Sequence, residues 1–217
     1  LAAAGPDTAV VLVSDHGMEG TGAFFNPNVV LERAGLLTLT AGGEIDLAHT
    51  KIAAPPGGDF YLTVNGVGWR DGIVPTSDRS EVLEQARRAL LASVDPASGQ
   101  PVVSAVFDPG VCPSLGIGGP SGGDLYLDLA PGYTPTSSLA GGVVQPALSP
   151  IGLGSHGFFP HRRSMHAIFY GWGAGFARGR QIGPITQTDV FPTIARLLGV
   201  PIPPSVTGHV IGEALSP

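Results

Sequence analysis

The sequence is short of cysteine, of positive charge and of long apolar runs, and each shortage closes off a class of explanation. Its one cysteine, Cys112, excludes an internal disulfide and leaves the redox compartment undecided. It reads as a small buried hydrophobe or a quiet loop thiol. Only 11 Lys and Arg stand against 17 Asp and Glu, a net charge of −6, and no basic stripe gathers them. That excludes nucleic acid as a general partner, because such affinity rests on cations that neutralise phosphates. No apolar run approaches the roughly 18 residues of a membrane helix, so no membrane span is expected in this chain.

What remains is a chain of 217 residues, enough for one sizeable core. Its 33 glycines and 21 prolines make up about a quarter of it, close to the range of low-complexity disorder. Here they punctuate recognisable strands and helices, so the pattern predicts a loop-rich globular fold. At the start, Leu1-Ala2-Ala3-Ala4-Gly5 reads as the last turn of a helix with a glycine stop. With no initiating methionine and no signal peptide before it, the expectation is a fragment or processed product that begins inside a domain. Nothing in the sequence assigns a compartment.

The chain is organised around Ala9-Val10-Val11-Leu12-Val13-Ser14-Asp15-His16-Gly17-Met18. Its apolar, largely β-branched first half predicts a strand buried on both faces, as in the centre of a parallel sheet covered by helices. Asp15 and His16 follow at the strand's carboxyl end, where open α/β sheets bind ligands. A carboxylate and an imidazole offer a hard oxygen and a borderline nitrogen, a pair that Zn²⁺ or Mn²⁺ accepts. Gly17 removes a side chain that would crowd the ion. The alternative is an Asp15 that caps the next loop beside a surface imidazole.

Further along, Asn26-Pro27 predicts a short helix to Ala34, stopped by Gly35. Leu36–Leu39 and Thr50–Ala53 are candidate strands, and Phe60–Val64 is a stronger one ending in the Asn65-Gly66 turn. A helix is expected over Arg79 to about Ser93, capped by Ser77 or Asp78, with Val82, Leu83, Ala86 and Leu90 inward and Glu84 paired to Arg88. Val102–Phe107 predicts a strand, and Asp124–Leu129 alternates with period two, as a half-exposed strand does. Tyr133–Gly154 has no period and reads as a long loop. His166–Tyr170 predicts a strand, Thr188-Asp189 caps a helix from Val190 to Leu198 that Gly199 stops, and the tail after Pro201 has room for one helical turn.

Three histidines fall within eleven residues, His156, His161 and His166. A surface cluster is one reading. The other takes His156, in Gly154-Ser155-His156-Gly157 where the two glycines let backbone approach closely, as a distant ligand joining Asp15 and His16. His161 lies beside Arg162-Arg163, a cationic setting that disfavours another cation, so it is expected to contact substrate or lie on the surface. His166, at a strand start, is expected to brace a ligand from behind or sit in the core. Two decoys fall away: Gly119-Pro120-Ser121-Gly122-Gly123 lacks the strand and helix of a nucleophile elbow, and Gly171-x-Gly173-x-Gly175 lacks dinucleotide-loop spacing and reads as a turn.

Taken in order, Val11–Met18, Gly154-Ser155-His156-Gly157, Met165–Phe169, Gly175-Phe176 and Thr188–Gly199 resemble the carboxyl-terminal half of the alkaline phosphatase superfamily, in its type I phosphodiesterase/nucleotide pyrophosphatase branch. Asn26–Leu36, Val64–Val74, Asp124-Leu125 and Gly132-Tyr133 resemble that branch's linking segments, so the likeness spans most of residues 9–214.

The resemblance implies an α/β fold with a mostly parallel sheet covered by helices on both faces, here incomplete. Residues 1–217 would be the C-terminal part of one catalytic domain, with 40–135 as an inserted or peripheral α+β segment. It implies a phosphoester hydrolase with two divalent ions, zinc first and Mn or Mg as alternatives, acting on a small phosphoester. Asp15 and His16 would hold one ion and His156 the other, with Gly17, His161 and His166 as bracing or substrate-contact candidates. The family's Thr or Ser nucleophile, its accompanying aspartate and a further Asp and His have no counterpart here, Asp7 being too near the strand to supply one. The chain alone is therefore expected to be inactive and to need a missing N-terminal half or partner chain. Two alternatives stay open: a non-catalytic split or truncated half-domain that binds one metal or a partner, and a sulfatase or phosphonate hydrolase on the same scaffold.

Overall fold

The computed structural model describes residues 5–56, 60–110, 122–147 and 153–217. Cys112, the helical turn expected at Leu1–Ala4, and Gly119, Pro120 and Ser121 of the first decoy lie outside them. The chain divides into two compact units, Leu1–Gly17 with His166–Pro217, and Met18–Met165.

The larger unit is built on a four-stranded sheet of β4 (Ile52–Ala53), β5 (Tyr61–Val64), β7 (Leu125–Leu129) and β6 (Val103–Phe107), in that order and antiparallel throughout. Two helices pack with it. In α1 (Pro27–Arg33) proline takes the first helical turn, its missing N–H costing nothing there. In α2 (Arg79–Leu91) Val82, Ala86 and Leu90 recur at helical spacing and are buried. Leu31, Ile52, Leu62, Val64, Leu90, Leu125 and Leu127 close the core with no exposed area. Asn28 ties α1 to the chain just after β4 with a reciprocal pair: its amide donates to the Ala54 carbonyl at 3.1 Å and its oxygen accepts the Ala54 amide at 2.8 Å.

Several local expectations change. Leu36–Leu39 is not a strand, and Leu39 makes one isolated bridge to Ile45. Asn26 precedes α1 without capping it, since its side chain donates to the Ala140 carbonyl instead. Glu84 pairs with Arg87 at 3.5 Å, and Arg87 continues to Asp108 at 2.7 Å, in place of a Glu84–Arg88 pair. β7 is central rather than half-exposed, because its polar positions are neutralised: Asp124 takes the Arg79 guanidinium and the Val64 amide, and Asp128 takes Arg162. The expected loop 133–154 contains three short strands, β8 (Tyr133–Pro135), β9 (Val144–Pro146) and the start of β10 (Leu153–Ser155). β8 and β9 flank β3 (Ala23–Phe25), the β3–β8 pair being parallel, while β10 pairs antiparallel with β2 (Glu19–Thr21).

In the smaller unit β1 (Ala9–Val13) pairs antiparallel with β11 (Phe169–Gly173), Val11 facing Gly171 and Leu12 facing Tyr170. The parallel, doubly buried strand expected at this point is not what the described residues form. An apolar run specifies a need for cover and says nothing of strand direction, which the partner sets. β11 begins three residues after His166, and Gly171 and Gly173 belong to it, so only Ala174-Gly175 of the second decoy is a turn. One face of the ribbon, with Val11 and Phe169, packs on Phe176, Ile211 and Leu197. Helix α3 (Val190–Leu198) ends as expected at Gly199, φ 65°, the left-handed stop that favours glycine. Ahead of it Asp189 accepts the amides of His209 at 2.8 Å and Thr186 at 2.9 Å, which together hold its carboxyl below the ordinary aspartate range. One helical turn, Gly212–Ala214, closes the tail. Among the described residues no helix is long and apolar enough to cross a membrane.

Candidate metal centre

The end of β1 is fixed before any ligand is considered. Ser14 donates its amide to the Ile168 carbonyl at 3.2 Å and accepts the Ile168 amide on Oγ at 3.0 Å, while Gln187 donates to its carbonyl at 3.2 Å. Asp15 and His16 therefore leave a backbone held on three bonds. The Asp15 carboxylate is divided in use: Oδ1 accepts the His16 amide at 3.0 Å, and Oδ2 lies 3.3 Å from His16 Nε2. One Asp15 oxygen therefore caps the start of the loop, and the other is turned to the imidazole.

The opposite ring nitrogen decides what Nε2 offers. His16 Nδ1 lies 2.7 Å from the Gly17 carbonyl, an acceptor only, so Nδ1 carries a hydrogen, and whenever the ring is neutral its lone pair is on Nε2. That is the usual way a protein sets the tautomer of a metal-binding histidine. Gly17 thus contributes its carbonyl, a role that the small size of its side chain did not suggest. Two lone-pair donors 3.3 Å apart repel unless a proton or a cation lies between them. Ligand atoms about 2.0–2.1 Å from a tetrahedral zinc stand about 3.3–3.4 Å from one another, so the pair fits two corners of such a site. The Asp15 side chain is 84 % exposed and that of His16 34 %.

His156 belongs to the larger unit, one residue past the end of β10. The β10–β2 ladder places Ser155 opposite Glu19, and the Ser155 and Thr134 hydroxyls meet at 2.6 Å. His156 itself is exposed and lines a cavity of about 320 Å³ with Phe24, Phe60, Thr134 and Ser155. Gly157 follows at φ 89°, in the left-handed region, and a Cβ there would press on the Phe60 ring at 3.2 Å. His161 is exposed, its ring 6.0 Å from that of Phe159. His166 lies in the smaller unit and is exposed, so the core position offered for it is not taken. Within each unit, the described residues contain no group of three or more His, Cys, Asp or Glu side chains gathered as a metal site.

The surface position expected for His161 is the one observed. Of its two arginine neighbours, Arg162 is spent elsewhere: its guanidinium turns inward to Glu19 at 3.0 Å, Asp128 at 2.5 Å and the Leu129 carbonyl. The sequence signal for this was weak: two carboxylates 143 and 34 positions away, neither in a recognisable motif.

No known family profile and no curated protein matches the sequence. Solved structures do match the fold. Human ectonucleotide pyrophosphatase/phosphodiesterase 5 aligns over 96% of this chain with a TM-score of 0.55 and 16% identity, and the murine protein of the same name over 96% with 0.55 and 18%. The fold is that of a part of these two structures. The chain spans 46% of the human protein's length and 45% of the murine one's, under half of each. The resemblance read from the motifs therefore stands for the fold: a mixed α/β architecture of several small sheets and few helices, shared with phosphodiesterase/pyrophosphatase proteins.

Proposed function

We propose that this chain is the carboxyl-terminal part of a metal-dependent phosphoester hydrolase of the phosphodiesterase/nucleotide pyrophosphatase type. Asp15 and His16 hold one divalent ion, His156 serves a second, and the ions are zinc, with Mn or Mg as substitutes. The observation that carries the reading is the Asp15 Oδ2–His16 Nε2 separation of 3.3 Å with Nδ1 turned to the Gly17 carbonyl, a separation that matches the edge of a tetrahedral zinc site. Two divalent ions supply charge stabilisation for both the attacking and the leaving oxygen of an in-line displacement at phosphorus. The chain's own part is to orient: Ser14 is tied to Ile168 and Gln187, Gly17 fixes the tautomer of His16, and β10 delivers His156. The nucleophile, a Thr or Ser, comes from a segment outside these 217 residues, so the chain alone does not turn over.

The test is hydrolysis of bis(p-nitrophenyl) phosphate with added Zn²⁺, by the chain combined with the segment that precedes it in its gene. Turnover should appear only in the combination and fall by at least about a hundredfold in Asp15→Asn and His16→Ala, a loss typical of removing a group that holds a catalytic ion. Faster turnover of a sulfate or phosphonate ester would move the substrate class, and no turnover of any of the three would reject the hydrolase.

A further inference from the structure

The end of the β1–β11 ribbon remote from Asp15 and His16, where Ala9 faces Gly173, borders a cavity of about 680 Å³. It belongs wholly to the smaller unit, and Thr8 on its lining stands seven positions before Asp15, about 20 Å of extended chain. Its frame is held by backbone. Ala174 donates its amide to the Thr8 carbonyl at 3.0 Å, Phe176 to Gly173 at 3.2 Å and Ser216 to Gly175 at 2.9 Å. Gly173 sits at φ 91° with no room for a side chain, since a Cβ there would meet the Thr8 carbonyl oxygen at 2.1 Å. Arg178 and Arg180 line the same cavity, one on each side of Gly179 at φ 65°. Their turn is anchored before and after: the Ala177 amide donates to the Ala214 carbonyl at 3.0 Å, and Ile182 packs on Phe176 and Ile211. Both arginines are exposed, and neither side chain has an ion pair or hydrogen bond among the described residues. Arg79, Arg87 and Arg162, by contrast, are each taken by a carboxylate. No lining residue is acidic, so the lining supplies two positive charges and no negative one.

We propose that this cavity binds a small phosphomonoester, its phosphate on Arg178 and Arg180 and its organic part against Trp172 and Pro6; this stands independently of the metal chemistry proposed above. Each guanidinium presents parallel N–H donors at the spacing of two phosphate oxygens, a match that gives geometry as well as charge. A phosphomonoester carries close to two negative charges at neutral pH, one for each arginine, whereas a carboxylate carries one. The volume lies within the range of roughly 300–1,000 Å³ usual for small-molecule sites and far exceeds a bare phosphate, so an organic part is required to fill it. Trp172, 50 % exposed, supplies an aromatic surface for that part.

The experiment titrates the full chain with phenyl phosphate at constant ionic strength. The chain has two tryptophans, so Trp69→Phe leaves Trp172 as the fluorescent reporter. A saturable change in its emission is expected, with amide shifts at Gly173 and Gly179 in ¹⁵N NMR. Arg178→Gln and Arg180→Gln should each weaken binding about tenfold, the scale of losing one charge-assisted pair. Both side chains are exposed, so circular dichroism should not change. Arg33→Gln, which removes an exposed arginine of the larger unit, should leave the affinity as it was. Benzoate, with one charge, should bind at least about tenfold more weakly than phenyl phosphate. Inorganic phosphate should bind several-fold more weakly, through the same arginines. No saturable change with phenyl phosphate, or equal weakening by Arg33→Gln and the two cavity variants, would overturn the site. Benzoate as tight as phenyl phosphate would overturn the phosphate assignment, and inorganic phosphate as tight would overturn the part given to Trp172.

Discussion

In the larger unit, β4-β5-β7-β6 and helices α1 and α2 enclose Leu31, Leu62, Leu90, Leu125 and Leu127 completely. In the smaller unit β1 and β11 form a two-stranded ribbon, on which Leu12 is 58 %, Tyr170 64 % and Trp172 50 % exposed, with Leu198 of α3 at 70 %. Both units are rich in apolar residues, and what differs is how many faces are covered. A four-stranded sheet under two helices buries its apolar stripe, whereas a two-stranded ribbon is marginal in water and leaves one face to associate. The residues proposed to hold the first ion stand at the end of that ribbon, so their geometry rests on the hydrogen bonds around Ser14 more than on packing.

The sharpest way to break this comparison is a cavity on the covered side. Leu127→Ala, at a position with no exposed area in β7, should cost about 2–5 kcal/mol in urea unfolding; a loss under about 1 kcal/mol would mean that the larger core is loosely packed. A smaller effect is expected at Asp189, which holds two amides ahead of α3. Asp189→Asn should cost about 1 kcal/mol near neutral pH, the usual scale for a helix-start acceptor. Because the folded carboxyl is held below its unfolded value, this contribution is fully present above about pH 4 and disappears as pH falls through the folded value. The gap between wild type and Asp189→Asn should therefore close in acid, and a gap independent of pH would remove the role given to those amides. The smallest change belongs to the open face: Leu12→Thr should alter stability by no more than about 0.5 kcal/mol while raising the concentration at which the chain associates. A loss of 2 kcal/mol would show that this face is covered after all.

How much of this was legible in the sequence follows from how local each signal is. Helices α1, α2 and α3 announce themselves through Asn26-Pro27, the Val82-Ala86-Leu90 spacing and the Gly199 stop, all contained within one element. The centrality of β7 was hidden because Asp124 and Asp128 look solvated until Arg79 and Arg162, 45 and 34 positions away, are seen to neutralise them. Strands β8, β9 and β10 are three residues each, too short to show a period, and so read as loop. At the candidate site, the Asp15-His16 pair was visible from residue type and its place after a strand. The part played by Gly17 was not, since a backbone carbonyl has no signature in sequence. His161 was judged by its neighbours' charge; it does lie on the surface, although Arg162, one of those neighbours, turns inward.

The most direct test is zinc-edge X-ray absorption on the chain loaded with one equivalent of metal, compared with Asp15→Asn and His16→Ala. A nearest shell of nitrogen and oxygen at about 2.0–2.1 Å, with imidazole scattering that drops in His16→Ala and an oxygen contribution that drops in Asp15→Asn, is the predicted result. Spectra that stay the same in both variants would contradict it.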